Sequence, residues 1–143
     1  MISTVFYLRT DCSFDSAHFL SGYTGKCRNI HGHRWRVVAE IRAASLIAEG
    51  HNRGMVMDFG EIKAILKSMC GRFDHCFIYE RETLDPVIKK ELLKQGFTLI
   101  EVHFRPTAEE FAYYFFRQLS LNNVPVHRVE VYETPNNCAV YEE

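Results

Sequence analysis

Long hydrophobic runs are absent from this 143-residue chain. No apolar stretch approaches the roughly 20 residues that a membrane-spanning helix needs, and the first residues lack the basic region and cleavage pattern of a secretory signal. An excess of one charge is also missing, because 17 Lys and Arg face 18 Asp and Glu and the net charge is -1. We therefore expect a cytoplasmic protein with neither a nucleic-acid nor a membrane partner.

Disulfide frameworks and zinc-finger patterns are missing as well. The five cysteines are odd in number and widely spaced, with no Cys-x-x-Cys pair: Cys12, Cys27, Cys70, Cys76 and Cys138. Such spacing favours free thiols in a reducing compartment. The chain does have 47% hydrophobic residues and no linker or low-complexity tract, which predicts a single domain over residues 1–143.

Several segments alternate between apolar and polar residues, as half-buried strands do. The alternation is clearest in residues 5–14 and 34–42, which are separated by a loop rich in Gly, Ser, Lys and Asn, so we predict a long antiparallel pair. Alternation returns in residues 127–133, and residues 138–141 fit a last short strand. Together these segments predict a four-stranded antiparallel sheet.

Two other segments repeat apolar residues every three or four positions, as amphipathic helices do. One follows Asp58 and the other follows Thr107, and each of these capping residues has a Glu three positions later. Residues 86–95 also fit a shorter helix, and residues 97–104 fit a further strand. The expected fold class is α+β, with two long helices on one face of the sheet, and its exposed sheet edges favour an oligomer.

Three histidines are predicted to converge at one end of the first strand pair. His31 and His33 lie on the apolar face at the start of the second strand, and His18 ends the first strand with the parity of its apolar residues. Three imidazoles with an open fourth position describe a catalytic zinc site, whereas structural zinc usually takes four cysteine-rich ligands. For the His-Gly-His motif alone, the alternative interpretation is a half-buried surface pair.

Two further places carry residues suited to proton transfer. Cys27 lies in the loop just before the paired histidines, and its neighbours Lys26 and Arg28 favour a reactive thiolate. Its alternatives are an ordinary loop thiol and a fourth metal ligand. The adjacent Asp74 and His75 combine a carboxylate with an imidazole that it can orient, although such a dipeptide also occurs in turns and caps.

Glu133 has the same parity as the apolar residues Val129 and Val131, which predicts a carboxylate turned toward the interior. A buried carboxylate needs a partner. The 2-amino group and the neighbouring ring N–H of a pterin or guanine would offer two parallel donors to its two oxygens. A salt bridge to an arginine is the alternative interpretation.

Six short blocks combine these residues in order along nearly the whole chain. They are Phe14-Asp15-Ser16-Ala17-His18, Cys27-Arg28-Asn29-Ile30-His31-Gly32-His33, Met57-Asp58-Phe59, Phe73-Asp74-His75, Pro106-Thr107-Ala108-Glu109 and Tyr132-Glu133-Thr134-Pro135. Together the blocks resemble the 6-pyruvoyl-tetrahydropterin synthase family. The His-Gly-His motif is weak by itself, but six ordered blocks are specific.

The resemblance implies a tunnelling fold (T-fold), in which three subunits close a β-barrel and two trimers stack into a hexamer with active sites between subunits. It implies that His18, His31 and His33 bind Zn²⁺ and that Cys27 is the general base. The implied substrate is the small molecule 7,8-dihydroneopterin triphosphate.

The resemblance also implies roles for residues outside the first hairpin. Asp74 with His75 would assist proton transfer, from a neighbouring subunit. Glu133 would anchor the pterin ring, helped by Thr107 and Glu109 at the start of the second long helix. Each of these roles is an expectation about this chain.

Two family reactions compete. One eliminates triphosphate to give 6-pyruvoyl-tetrahydropterin, and the other forms 6-carboxy-5,6,7,8-tetrahydropterin with release of acetaldehyde and triphosphate, on the route to queuosine. The compact Cys-x-x-x-His-Gly-His spacing resembles the carboxy-forming type, which we therefore expect. A non-catalytic zinc- or pterin-binding module is the alternative from another class. The chain departs from the family at Tyr79, where an Asn is usual, and in the longer segment 81–104.

Overall fold

The computed structural model describes residues 2–143. In chain order its elements are β1 (Phe6–His18), a 3₁₀ turn (Lys26–Arg28), β2 (His31–Ala43), α1 (Phe59–Gly71), β3 (Cys76–Glu80), α2 (Pro86–Lys94), β4 (Leu99–Val102), α3 (Ala108–Leu121), β5 (Val126–Thr134) and β6 (Asn137–Glu142). Among these described residues, no helix combines the length and the apolar character that crossing a membrane requires.

The first two strands form the long antiparallel pair that the alternation predicted. Their register runs without interruption from Phe6 opposite Ala43 to His18 opposite His31. Because side chains of a strand alternate between faces, His18 points to the helix side, where it is buried, while Asp15 points to the opposite side. The hairpin therefore sends the predicted metal ligands toward the core.

The sheet has six strands in the order β4-β3-β1-β2-β5-β6. Four of them, β1, β2, β5 and β6, pair antiparallel, whereas β3 joins β1 in parallel and β4 joins β3 in parallel. This corrects the prediction of a four-stranded, wholly antiparallel sheet. The strand fitted at residues 97–104 is present as β4, and the short helix fitted at 86–95 is present as α2.

Strand β3 was not predicted from the sequence, and its residues explain why. The strand has only five residues, of which Cys76, Ile78 and Tyr79 are buried, so it lacks the alternation that identifies a half-buried strand. Tyr79 points its hydroxyl at Glu101 Oε1 on β4, 3.4 Å away. This side chain therefore links the two extra strands.

The two long helices cover one face of the sheet, as predicted. Asp58 caps α1 by accepting hydrogen bonds from the backbone N–H groups of Gly60 and Glu61, and Thr107 caps α3 by accepting one from the N–H of Glu110. Both helices bury apolar side chains against the inward side chains of the central strands. The largest fully buried residues of this core include Phe14, Trp35, Leu66, Phe73, Phe111 and Phe115.

Candidate metal centre and proton-transfer residues

The three predicted histidines meet at the end of the β1–β2 hairpin. His18 lies directly opposite His31, and His33 is two residues further along β2 on the same face. One ring nitrogen from each histidine lies within 4.8 Å of those of the other two, and His18 Nε2 is 3.1 Å from His31 Nε2. Two nitrogens bound to one tetrahedral zinc ion at about 2.0–2.1 Å would be roughly 3.3 Å apart. The spacing therefore suits a shared metal ion.

Backbone carbonyls define the tautomers of two of these rings. His18 Nδ1 donates to the carbonyl of Pro106 over 2.8 Å, and His31 Nδ1 donates to the carbonyl of Asn29 over 2.7 Å. A carbonyl only accepts, so in each neutral ring the proton is on Nδ1 and the lone pair is on Nε2. Two lone pairs that face each other at 3.1 Å repel unless a cation lies between them. The Nε2 atoms of His18 and His31 thus fit a metal ion, and the hydrogen bonds of their Nδ1 atoms orient the two rings.

His33 completes the cluster and contacts Glu133. Its Nε2 lies 3.1 Å from Glu133 Oε1, but the alignment is not that of a hydrogen bond, and this buried nitrogen has no other hydrogen-bond partner. Burial lowers the pKa of His33, while the Glu133 carboxylate opposes that effect. Burial also lowers the pKa of His18 to about 4. A neutral His18 is the form that can bind a metal.

Trp35 supports the cluster from the core side. Its ring packs edge to face against His18 and His33, with centroids 4.9 and 5.5 Å away. Since Trp35 is the only tryptophan of the chain, its fluorescence reports on events at the histidines. Neither this packing nor the Pro106 and Asn29 carbonyls were identified from the sequence, because backbone acceptors leave no signal in a pattern of side chains.

Cys27 occupies the 3₁₀ turn of the loop that joins β1 to β2. Its thiol is free and partly buried, and its backbone carbonyl accepts a hydrogen bond from the N–H of Leu20 over 2.9 Å. The same loop supplies Asn29, whose carbonyl orients His31. The loop therefore combines the candidate thiol with one of the groups that orient the metal ligands.

Asp74 and His75 lie in a different part of the molecule. Asp74 Oδ1 accepts a hydrogen bond from the Asp15 N–H over 2.9 Å, and His75 Nδ1 donates to Asp74 Oδ2 over 2.8 Å. His75 lines a groove of about 670 Å³ with Asp15 and Arg34, and His33 also borders this groove. Asp15 and Arg34 have the strand parity opposite to that of His18 and His33, so Asp74 and His75 lie beside the face of the sheet opposite to the side chains of the cluster.

The exposed His75 has an unusual backbone conformation and a raised pKa. Its backbone φ is 58°, a left-handed conformation that is uncommon for residues other than glycine and that is enriched at functional sites. The hydrogen bond and the negative charge of Asp74 raise the pKa of His75, since both favour the protonated imidazole. The pKa of Asp74 is lowered, mainly by the hydrogen bond from the Asp15 N–H and secondly by the hydrogen bond from His75.

Replacing Asp74 with Asn is expected to lower the pKa of His75, because the amide keeps the shape of the carboxylate and removes its charge. The titration of the His75 ring protons, followed by nuclear magnetic resonance, measures this change. Glu49→Gln removes a carboxylate from an exposed loop elsewhere and should leave the His75 curve unmoved. An unchanged curve in Asp74→Asn would mean that the Asp74–His75 hydrogen bond does not persist in solution.

The remaining predicted residues are Thr107, Glu109 and Glu133. Thr107 directly follows Pro106, the acceptor of His18, and its hydroxyl caps α3, while Glu109 is exposed in the first turn of that helix. Glu133 contacts His33, as described above. The structure thus places Glu133 against the cluster and Thr107 next to one of its hydrogen-bond acceptors, while Glu109 lies on the exposed side of α3.

The first hairpin of this α+β fold thus carries a three-histidine cluster that could hold a metal ion. Residues 7–143 match the family model described as 6-pyruvoyl tetrahydropterin synthase. The chain therefore belongs to the 6-pyruvoyl tetrahydropterin synthase family, as the six sequence blocks predicted. Family membership implies a lyase that acts on a small pterin.

Two relatives are similar over most of their length. The 6-carboxy-5,6,7,8-tetrahydropterin synthase of Haemophilus influenzae is 35% identical over 97% of this chain and 100% of its own. The enzyme of the same name from a Synechocystis species is 33% identical over 90% of this chain and 87% of its own. The match to the first relative leaves no part of that protein without a counterpart here.

Solved structures support the fold. An uncharacterized protein from Wolinella succinogenes has a TM-score of 0.81 at 19% identity, over 99% of each chain. The 6-pyruvoyl tetrahydropterin synthase of Plasmodium vivax has a TM-score of 0.70 at 20% identity, over 98% of each chain. At such low identity these likenesses concern the fold alone.

Proposed function

We propose that this protein is a zinc-dependent 6-carboxy-5,6,7,8-tetrahydropterin synthase. The reaction would convert 7,8-dihydroneopterin triphosphate and one water molecule to 6-carboxytetrahydropterin, acetaldehyde and triphosphate, as a step toward queuosine. The main support is the match to the Haemophilus influenzae protein of that name, which spans both chains almost completely. The compact spacing of Cys27 before the His31–His33 pair adds to it.

The three histidines would hold the zinc ion through the nitrogens that face one another. His18 and His31 are already oriented by carbonyl acceptors, so they need little rearrangement to bind it. When bound, zinc would act as a Lewis acid that stabilises negative charge on the side-chain oxygens of the substrate. The ring of Trp35 would limit the access of water from the core side.

Cys27 would serve as the general base that removes a proton from the substrate side chain. Its thiol is free and partly buried in the turn that precedes the His31–His33 pair, and the deprotonated thiol is the form that accepts a proton. Cys27 also belongs to the same loop as the Asn29 carbonyl, so the thiol and His31 share one structural support. The group of side chains close enough to share one metal ion consists of the three histidines and does not include Cys27, which favours a base that does not itself bind the metal.

Asp74 and His75 would supply the second proton-transfer group. Because they face away from the histidine cluster of their own chain, they would act on a site of a neighbouring subunit, with the groove beside His75 at the contact. We propose the corresponding assembly: three subunits around a barrel and two such trimers in a hexamer. In this arrangement a carboxylate orients the imidazole while the imidazole donates or accepts the proton.

Glu133 would bind the pterin. Its two carboxylate oxygens match the parallel donors of the 2-amino group and ring N–H, and its contact with His33 would place the ring beside the zinc ion. Thr107 and Glu109, at the start of α3, would complete the substrate contacts. The N-terminal end of a helix favours anionic groups, which suits a negatively charged substrate near Thr107.

Identification of the product tests this proposal. The purified zinc-loaded protein is incubated with dihydroneopterin triphosphate, and the products are separated and weighed by mass spectrometry. We expect 6-carboxytetrahydropterin with one equivalent each of acetaldehyde and triphosphate. Formation of 6-pyruvoyl-tetrahydropterin would replace the proposal by the other family reaction. Binding of the pterin without any turnover would instead identify a non-catalytic module.

A further inference from the structure

The loop that carries Cys27, residues 19–30, is mostly exposed and has few contacts outside itself. At its start, Phe19 stacks on Phe77 with ring centroids 5.9 Å apart. Inside the loop, the N–H of Leu20 donates to the carbonyl of Cys27. Segments with so few buried contacts open easily, so the position of the thiol depends on the few tethers that the loop has.

Arg105 provides one such tether from outside the hairpin. Its Nη2 donates to the carbonyl of Ser21 over 2.9 Å, and its guanidinium carbon lies 5.7 Å from the centre of the Tyr23 ring. Among residues 2–143, this is the one side-chain hydrogen bond that reaches residues 19–30 from beyond β1 and β2. Arg105 combines a hydrogen bond with a cation–π contact, which a planar guanidinium can make at once.

The Tyr23 ring also packs against Gly25, which precedes the turn that contains Cys27. A Cβ atom built on Gly25 would lie 2.6 Å from Tyr23 Cε1, so the ring packs against the glycine backbone with no space for a side chain. Gly25 precedes the 3₁₀ turn, and its carbonyl accepts a hydrogen bond from the N–H of Arg28. We refer to Arg105, Ser21, Tyr23 and Gly25 as the Arg105 clamp.

The backbone of Arg105 connects the clamp to the metal centre. The N–H of Thr107 donates to the Arg105 carbonyl over 2.7 Å, which makes a tight turn around Pro106. The Pro106 carbonyl is the acceptor of His18. Arg105 thus belongs to the segment that orients one histidine, while its side chain holds the loop that orients another and carries the thiol.

We propose that Arg105 is a positioning residue that keeps the Cys27 loop in register with the histidine cluster. The clamp would maintain the separation between thiol and metal centre that proton transfer requires. This inference rests on the proposed role of Cys27 in the reaction. The buried Arg105 Nε has no hydrogen-bond partner, so the contacts that hold the guanidinium are the Nη2 hydrogen bond to Ser21 and the packing on the Tyr23 ring.

The rate at which N-ethylmaleimide alkylates each cysteine, measured by peptide mass spectrometry, tests the clamp without any substrate. In Arg105→Ala we expect Cys27 to react at least about threefold faster, because the loop opens more often, while the exposed Cys138 keeps its rate. Arg105→Lys restores the hydrogen bond but not the stacking, so its Cys27 rate should be intermediate.

Arg117→Ala is the matched control. Arg117 makes contacts of the same two kinds, an ion pair with Glu143 at 2.8 Å and a cation–π contact with Tyr113 at 5.1 Å, but near the end of α3 remote from Thr107. Its removal should leave the alkylation of Cys27 unchanged. In the turnover assay, Arg105→Ala should lower kcat by about tenfold with little change in KM or zinc content, since small misplacements of a reacting group are costly.

Tyr23→Ala tests separately whether Arg105 holds the Cys27 loop through the Tyr23 ring. If Arg105 acts through the Tyr23 ring, the effects of Arg105→Ala and Tyr23→Ala should not add. In the variant that carries both substitutions, N-ethylmaleimide should then alkylate Cys27 no faster than in the faster of the two single variants. A folded Arg105→Ala protein with the wild-type Cys27 rate would overturn the clamp. If Arg105→Ala unfolds the protein and makes all thiols reactive, Arg105→Lys replaces it in the comparison with Tyr23→Ala. Additive effects of these two substitutions on the alkylation rate of Cys27 would then overturn the clamp.

The two proposals fail in different ways. A wild-type protein without turnover, in which Arg105→Ala still exposes Cys27 selectively, would refute the proposed function and leave the clamp in place as a structural link. An active wild-type protein whose Arg105→Ala variant has unchanged turnover and unchanged Cys27 alkylation would refute the clamp alone.

Discussion

Replacing His31 with alanine is expected to remove the bound metal and abolish turnover. Only two ring nitrogens would remain, and even the loss of an outer hydrogen-bond partner typically weakens metal binding 10–100-fold, so we expect a loss of about 100-fold or more. Turnover should fall below about 1% of wild type. Metal per chain after dialysis, measured by elemental mass spectrometry, and the response of Trp35 fluorescence to added zinc would show the effect.

His31 is a better target than His18 for this experiment. His18 is 1% exposed and donates to the Pro106 carbonyl, so its loss would leave a cavity and an unpaired acceptor in the core and could unfold the chain. His31 is only partly buried.

His51→Ala serves as the control for the histidine experiment. It removes an imidazole from an exposed loop and should retain metal and activity. A His31→Ala protein with full zinc content would show that the three-histidine cluster is not the binding site. Zinc should also raise the melting temperature of wild type but not of His31→Ala, because a ligand that binds only the folded state stabilises it.

Replacing Cys27 with alanine should separate catalysis from metal binding. If Cys27 is the general base, its loss removes proton transfer and should lower kcat by about 10²–10⁴-fold, while the three histidines still hold a full equivalent of zinc. Steady-state rates and metal content, determined on the same preparation, give both results. The expected combination of low turnover with full zinc content distinguishes a base from a ligand.

The thiol experiment has a close control in the same chain. Cys138 is an exposed free thiol on β6, and Cys138→Ala should behave as wild type in both measurements. Release of zinc from Cys27→Ala would contradict the assignment as base and favour the alternative of a fourth metal ligand. Wild-type turnover in Cys27→Ala would reduce Cys27 to an ordinary loop thiol.

Much of the fold could be predicted because its signals are local. The alternation of the first two strands and the capping residues Asp58 and Thr107 depend on neighbours within a few positions, and each of these predictions is confirmed. The parallel strand β3 was not predicted because it is short, mostly buried and paired with residues about 60 positions earlier in the chain. Parallel pairing between distant segments has no local sequence signature.

The candidate site shows the same division. The parity of His18, His31 and His33 was sufficient to predict that they share a face, and the structure brings their ring nitrogens together. The resemblance implied that Asp74 and His75 act from a neighbouring subunit, but no local pattern showed which face of the sheet they border. The structure places them beside Asp15, on the face opposite to the cluster, which agrees with that expectation.

The sequence by itself therefore determined the family, the hairpin and the identity of the three converging imidazoles, because period-two alternation and short motifs act between residues that are near in the chain. Only the tertiary structure decided which carbonyls orient His18 and His31, where Arg105 reaches the Cys27 loop, and which face of the sheet carries His75. The Pro106 and Arg105 contacts join residues more than 80 positions apart, and any residue can supply a backbone carbonyl, so no side-chain pattern records them.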